Sequence, residues 1–221
     1  MSRRYDTVIF DLDGTLLNTL EDLADSVNAA LKHFGRPERT LDEVRQFVGN
    51  GVLNLMDRAV PEGKDADDFQ EIYEWFKAYY AAHSEVKTRA YEGIPELLQQ
   101  LQAEHFKMAI VSNKFHDAVC QLSRQYFGDL LPVSIGENEA AGIRKKPAPD
   151  TVFTALERLG STAGRAVYIG DSEVDAATAR NAGMACILVS WGFRERELLA
   201  SFKPMAIVDK PADILEILSR Q

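Results

Sequence analysis

The sequence holds only two cysteines, Cys120 and Cys186. They lie far apart and share no metal-ligand spacing with a histidine, which excludes a disulfide framework and a zinc ribbon. Each sits beside apolar residues and reads as a small buried hydrophobe. Long apolar runs are missing too: no segment approaches the roughly 18–20 residues of a membrane-spanning helix. Nothing of signal-peptide length precedes the strand-like YDTVIF that starts at Tyr5. Basic residues are the minority, Lys+Arg 25 against Asp+Glu 34, a net charge of −9. That balance argues against a nucleic-acid partner, whose binding depends on neutralising phosphates. The expectation is a cytoplasmic protein with no nucleic-acid and no membrane partner. Internal repeats and low-complexity tracts are also absent, and a hydrophobic fraction of 46% is enough for a buried core.

What the chain does have is an alternation. Short runs rich in Val and Ile recur at Thr7 to Phe10, Lys107 to Val111, Ala166 to Ile169, Ala185 to Val189 and Met205 to Val208, with helical periodicity between most of them. Continuous apolar runs fit strands covered on both faces, as in a parallel sheet, so the fold class is α/β. One interval breaks the rhythm. From Thr19 to about His83 there are only helix patterns. The first carries Leu20, Leu23, Val27 and Leu31 and stops at Gly35. Thr40 with Glu43 reads as a capping box opening the second. Gly49-Asn50-Gly51 separates it from the third, and a stripe of Phe69, Ile72, Tyr73, Phe76 and Tyr80 marks the last. The division that follows is residues 1–17 and 85–221 as the sheet core, and 18–84 as an inserted helical cap.

In open α/β sheets, ligands bind beyond the carboxyl ends of the strands. The first strand ends in Asp11-Leu12-Asp13-Gly14-Thr15, two carboxylates about 6–7 Å apart on one side of an extended chain. The second ends in Ser112-Asn113-Lys114, the third in Gly170-Asp171-Ser172 with Asp175 one helical turn on. Between these lies Lys145-Lys146-Pro147-Ala148-Pro149-Asp150. Any one of these signals has a plain reading, as turn carboxylates, a helix cap or surface lysines. Their order, acid pair, hydroxyl donor, lysine, acid pair, suits phosphoryl transfer. Asp11, Asp171 and Asp175 crowd negative charge, and Mg²⁺ meets that with carboxylate, phosphate and water oxygens. Ser112 and Lys146 have the chemistry to hold phosphate oxygens, and one aspartate is left to attack phosphorus.

FDLDGTLLNT, VSNK, KKPAPD and YIGDSEVD together resemble the four motifs of the haloacid dehalogenase superfamily of aspartate-nucleophile phosphatases, over a stretch from about Asp6 to Leu218. The resemblance implies a Rossmann-like core with a helical cap inserted after the first motif. It implies Asp11 as nucleophile, Asp13 as general acid and then base, and Thr15, Ser112, Asn113 and Lys146 around the phosphate. It implies Mg²⁺ held by Asp11, the Asp13 carbonyl and Asp171, with Asp175 direct or through water. RQFVGNG, WGF and IVDKPADILEIL are similar to the phosphoglycolate phosphatases within that superfamily, making a small phosphorylated metabolite the expected substrate. A mobile lid is expected of the cap, with Arg45 and Asn50 its candidate specificity residues.

Other readings compete. Haloacid dehalogenases proper and phosphonoacetaldehyde hydrolases lack the second acid, here Asp13. β-Phosphoglucomutases keep both aspartates but return the phosphoryl group to a sugar, and pyrophosphatases share much of the pattern. A phospho-receiver domain has an acid cleft and a lysine, but no inserted helical bundle.

Overall fold

The computed structural model describes residues 4–138 and 142–219. Six strands form one sheet: β1 (Thr7–Phe10), β4 (Lys107–Phe115), β5 (Val133–Glu137), β6 (Ala166–Gly170), β7 (Ala185–Val189) and β8 (Ala206–Val208). Their order is β5-β4-β1-β6-β7-β8 with every neighbouring pair parallel. Alternate residues of each strand enter two different cores. Val8, Phe10, Ile110 and Ile169 pack with α5 (Ile94–Ala103), α6 (His116–Phe127) and α10 (Pro211–Ser219). Ile9, Val111 and Tyr168 pack with α7 (Asp150–Leu159), α8 (Glu173–Ala182) and α9 (Arg196–Ser201). Burial on both faces is why the strand sequences run apolar without alternation.

Two sheet features differ from expectation. β5 interrupts its apolar residues with Ser134 and Gly136, a pattern an edge strand tolerates because one side stays unpaired. β4 does not stop at Val111. It continues to Phe115 with a break in register, so α6 is capped at Phe115 and Ser112 lies inside the strand.

Residues 18–89 form a second compact unit of four helices, α1 (Leu20–His33), α2 (Leu41–Phe47), α3 (Val52–Ala59) and α4 (Phe69–His83). Leu31, Leu55, Ile72 and Phe76 are buried, and the Phe76 and Tyr80 rings stack at 5.7 Å. Thr40 and Glu43 make the reciprocal capping box. This unit ends later than residue 84, because the buried Asp22 carboxylate accepts from Lys87 N at 2.9 Å and Thr88 N at 2.8 Å. The passages between units run as a short ribbon, β2 (Leu17–Asn18) beside β3 (Arg89–Ala90). Among the described residues no helix is long and apolar enough to cross a membrane.

Candidate active site

The sheet register decides which residues meet. Phe10 pairs with Ile110 on one side and Ile169 on the other, so Asp11, Ser112 and Asp171 leave three neighbouring strands at the same edge. The chain turns at once after β1: Leu12 O accepts from Leu16 N and Leu17 N, both at 3.0 Å. Gly14 has φ 83°, a left-handed conformation that suits glycine, and a Cβ there would stand 2.3 Å from Asp171 Oδ2.

Lys146 reaches the site because Asn113 straps its backbone. Lys146 N donates to Asn113 Oδ1 at 2.8 Å, and Asn113 Nδ2 donates to Lys146 O at 3.0 Å. Asn113 Oδ1 and one hydrogen of its Nδ2 are therefore committed to the Lys146 backbone. The Lys146 ammonium is buried 2.8 Å from Asp11 Oδ1 and 2.8 Å from Asp175 Oδ1, with Tyr168 Oη at 3.1 Å. Asp175 is fully buried. Besides Lys146 it accepts from Tyr168 Oη, Asp171 N, Ser172 N and Ser172 Oγ, the last at 2.6 Å. Its oxygens are saturated, so Asp175 organises the site rather than offering a lone pair.

The motif reading gives Lys114 no role, yet its ammonium is buried against Asp13, 3.0 Å from Oδ1 and 3.3 Å from Oδ2. A lysine just past a strand usually signals surface, and only the continuation of β4 carries it inward. Ser112 is buried and its Oγ accepts from Lys114 N. Thr15 is buried, with no partner for Oγ1 among the described residues. Arg45 and Asn50 lie in the helical unit. Arg45 pairs with Asp42 at 3.1 Å, and the Asn50 carbonyl accepts from Asn54 Nδ2 at 2.8 Å.

Oxygens of Asp11, Asp171 and Asp175 lie within 4.8 Å of one another. Two carboxylates at that spacing repel by roughly 3–4 kcal/mol at an effective dielectric near 20. Burial, opposed by Lys146 and aided by Asp175 and Asp13, pushes the Asp11 carboxyl up to about 7. Burial, then Asp175 and Asp11, drives Asp171 well above the ordinary carboxylate range. Burial pulls Lys146 down, but Asp11 and Asp175 outweigh it and hold its ammonium well above the usual lysine value. With Asp13 included, four carboxylates face the two ammonium groups of Lys114 and Lys146. An all-oxygen donor set with excess negative charge fits a hard divalent cation, and Asp11 and Asp171 are the members with an oxygen to spare.

The haloacid dehalogenase-like hydrolase family matches residues 8–189. The chain belongs to this family. A phosphoglycolate phosphatase of Aquifex aeolicus (strain VF5) is 32% identical over 96% of this chain and 95% of its own. Pyrophosphatase PpaX of Bacillus mycoides (strain KBAB4) is 29% identical over 98% of each. A crystal structure from Lactobacillus delbrueckii subsp. bulgaricus matches with TM-score 0.92 and 34% identity, covering 97% of this chain and 98% of that one. This protein is thus a haloacid dehalogenase-like hydrolase of the phosphatase kind. In this phosphatase the four motifs meet at one end of the sheet.

Proposed function

We propose that this phosphatase hydrolyses a small phosphate monoester, phosphoglycolate or a close analogue, with Mg²⁺ and through phosphorylated Asp11. The observation that carries the proposal is the placement of Asp11, buried 2.8 Å from Lys146 and within 4.8 Å of Asp171. Asp11, the Asp13 backbone carbonyl and Asp171 are the residues proposed to hold Mg²⁺. When bound, the ion neutralises carboxylate and phosphate charge that would otherwise repel.

In the first step an Asp11 oxygen attacks phosphorus, the ester P–O bond breaks, and Asp13 gives its proton to the departing alkoxide. In the second, Asp13 takes a proton from water, the water oxygen bonds phosphorus, and the bond to Asp11 breaks. Asp11 is regenerated and orthophosphate leaves. Ser112 Oγ and the Lys146 ammonium donate to phosphate oxygens. Asn113 and Asp175 hold Lys146 in place, Thr15 belongs with Ser112 and Lys146 around the phosphate, and Lys114 orients the Asp13 side chain. Arg45 and Asn50 are the cap residues proposed to discriminate among esters.

The test is a panel of 2-phosphoglycolate, pyrophosphate, sugar phosphates and simple esters with Mg²⁺, reading kcat/KM and products. Phosphoglycolate should lead and release orthophosphate. The PpaX relative supports a second reading on the same site, and a lead for pyrophosphate would establish it. A sugar phosphate isomerised without release of orthophosphate would make the enzyme a mutase. Undiminished turnover after chelation and dialysis would remove the metal from the mechanism.

A further inference from the structure

Asp171 is held by a segment to which the four motifs assign nothing. Between β7 and α9 the chain runs Ser190-Trp191-Gly192-Phe193-Arg194-Glu195. Phe193 N donates to Asp171 Oδ2 at 2.7 Å. Trp191 Nε1 donates to Thr15 O at 3.1 Å, which ties the same segment to the turn after β1. Beyond them, the largely buried Arg194 forks onto Glu173 at 2.8 and 3.1 Å, anchoring the segment to the first residue of α8. Gly192 lies against the aspartate itself. A Cβ there would stand 2.3 Å from Asp171 Cβ and 2.4 Å from Oδ2, closer than packed atoms approach. Gly14 closes the opposite side, where a Cβ would be 2.3 Å from Oδ2 and 2.9 Å from Phe193 Cδ2.

These contacts are unequal between the two oxygens of Asp171. Oδ2 receives a backbone N–H and is enclosed by two glycines, while Oδ1 has no hydrogen-bond donor among the described residues. Rotation about χ2 would exchange them only by losing the Phe193 hydrogen bond inside a fully packed site. A carboxylate so held has its open oxygen fixed before any ligand arrives, and a ligand group that is already ordered loses less entropy on binding.

We infer that the Trp191–Arg194 segment is a positioning device for the cation: it selects Asp171 Oδ1 as the oxygen offered to Mg²⁺ and holds it there. The inference rests on the metal reading of the site proposed above. Trp191, Gly192 and Phe193 are positioning residues that act through Asp171 and Thr15, and they donate nothing to the ion themselves. Losing such supporting contacts costs about 10–100-fold in metal affinity in comparable sites.

The test titrates Mg²⁺ alone, without substrate, against the thermal midpoint of the full-length wild type, Gly192→Ala and Trp191→Phe. A parallel series measures kcat against Mg²⁺ concentration. Gly192→Ala pushes a methyl group into Asp171 and should raise the Mg²⁺ dissociation constant by about 10–100-fold, with turnover recovering as Mg²⁺ is increased. Trp191→Phe keeps a ring and removes one N–H, and should raise it by less. A folded Gly192→Ala protein with wild-type Mg²⁺ affinity would overturn the inference. Should Gly192→Ala not fold, an unchanged dissociation constant in Trp191→Phe overturns it equally. A wild type whose midpoint ignores Mg²⁺ would overturn the metal reading itself, and this inference with it.

Discussion

Replacing Lys146 by Met removes an ammonium that sits 2.8 Å from Asp11 and 2.8 Å from Asp175, while keeping an unbranched chain of similar length. The Lys146 side chain is only 2% exposed, so bulk water does not take its place. At that distance and an effective dielectric near 20, each pair attracts by about 6 kcal/mol. Much of this is offset by the several kcal/mol needed to bring each charge out of water. What decides the outcome is the pair of buried carboxylates left behind. Breaking a buried ion pair by removing one partner costs about 3–5 kcal/mol. At roughly 2–4 °C per kcal/mol for a chain of this length, Lys146→Met should lower Tm by about 6–20 °C in EDTA. The deficit should also depend on pH. Lys146 holds the Asp11 carboxyl down to about 7, so without it the folded state retains the Asp11 proton to still higher pH. A carboxyl raised in the folded state favours folding at low pH and loses that contribution as pH rises, so the variant should approach wild type near pH 5 and fall away toward pH 8. Scanning fluorimetry across that range reads both effects. A variant within about 2 °C of wild type at pH 8 would refute the assignment of Lys146 as the charge that holds these carboxylates together.

Three further outcomes follow from the same geometry. Asp11→Asn should abolish turnover while the protein stays folded, and Asp13→Asn should slow the phosphorylation step by ~10²–10⁴ for alkyl esters but much less for aryl esters with good leaving groups, as single-turnover kinetics will read; equal losses in that step would remove the general-acid role from Asp13. In EDTA the wild type should lose stability as pH rises from about 4 through 7, because Asp11 moves from 3.8 unfolded to about 7 folded, and added Mg²⁺ should flatten that slope, as denaturant titrations at each pH will read. Burial raises both the Cys120 and the Cys186 thiol, so a thiol-disulfide reagent should react slowly with native protein and with both cysteines after denaturation; fast native reaction at Cys186 would contradict its burial.

The parts of the fold legible in the sequence are those with one dominant cause. Val8 to Phe10 and Ala166–Gly170 run without a charged or strongly polar residue because both faces of the sheet are covered, and few other environments produce that pattern. Thr40 and Glu43 form their box from two residues three apart, a local matter. β5 is hard to read because an edge strand bears Ser134 and Gly136 at little cost. Within the site, the acids and Lys146 are legible from motif order, whereas their supports are not. Lys114 looks like a surface lysine until β4 is seen to run on to Phe115, and nothing in the sequence announces that the Asn113 carboxamide straps the Lys146 backbone. Phe193 acts on Asp171 through its backbone N–H, a group every residue but proline carries, so nothing in its side chain announces the contact.

The ribbon of β2 and β3 makes the helical unit cheap to carry. Tyr91 N donates to Leu16 O at 3.1 Å, so the sheet-bearing unit closes on itself just where residues 18–89 leave and return. To that unit the insertion is a loop with its ends already joined, and doubling the length of such a loop adds only about 0.6 kcal/mol of closure entropy. Residues 18–89 are therefore open to being lengthened, trimmed or exchanged with little penalty to the sheet. Asp11, Asp13, Lys114, Lys146 and Asp171 all lie outside them. The charged residues of the sheet-edge site and the helical insertion thus occupy different stretches of one chain, and a change in the length of one leaves the other's sequence intact.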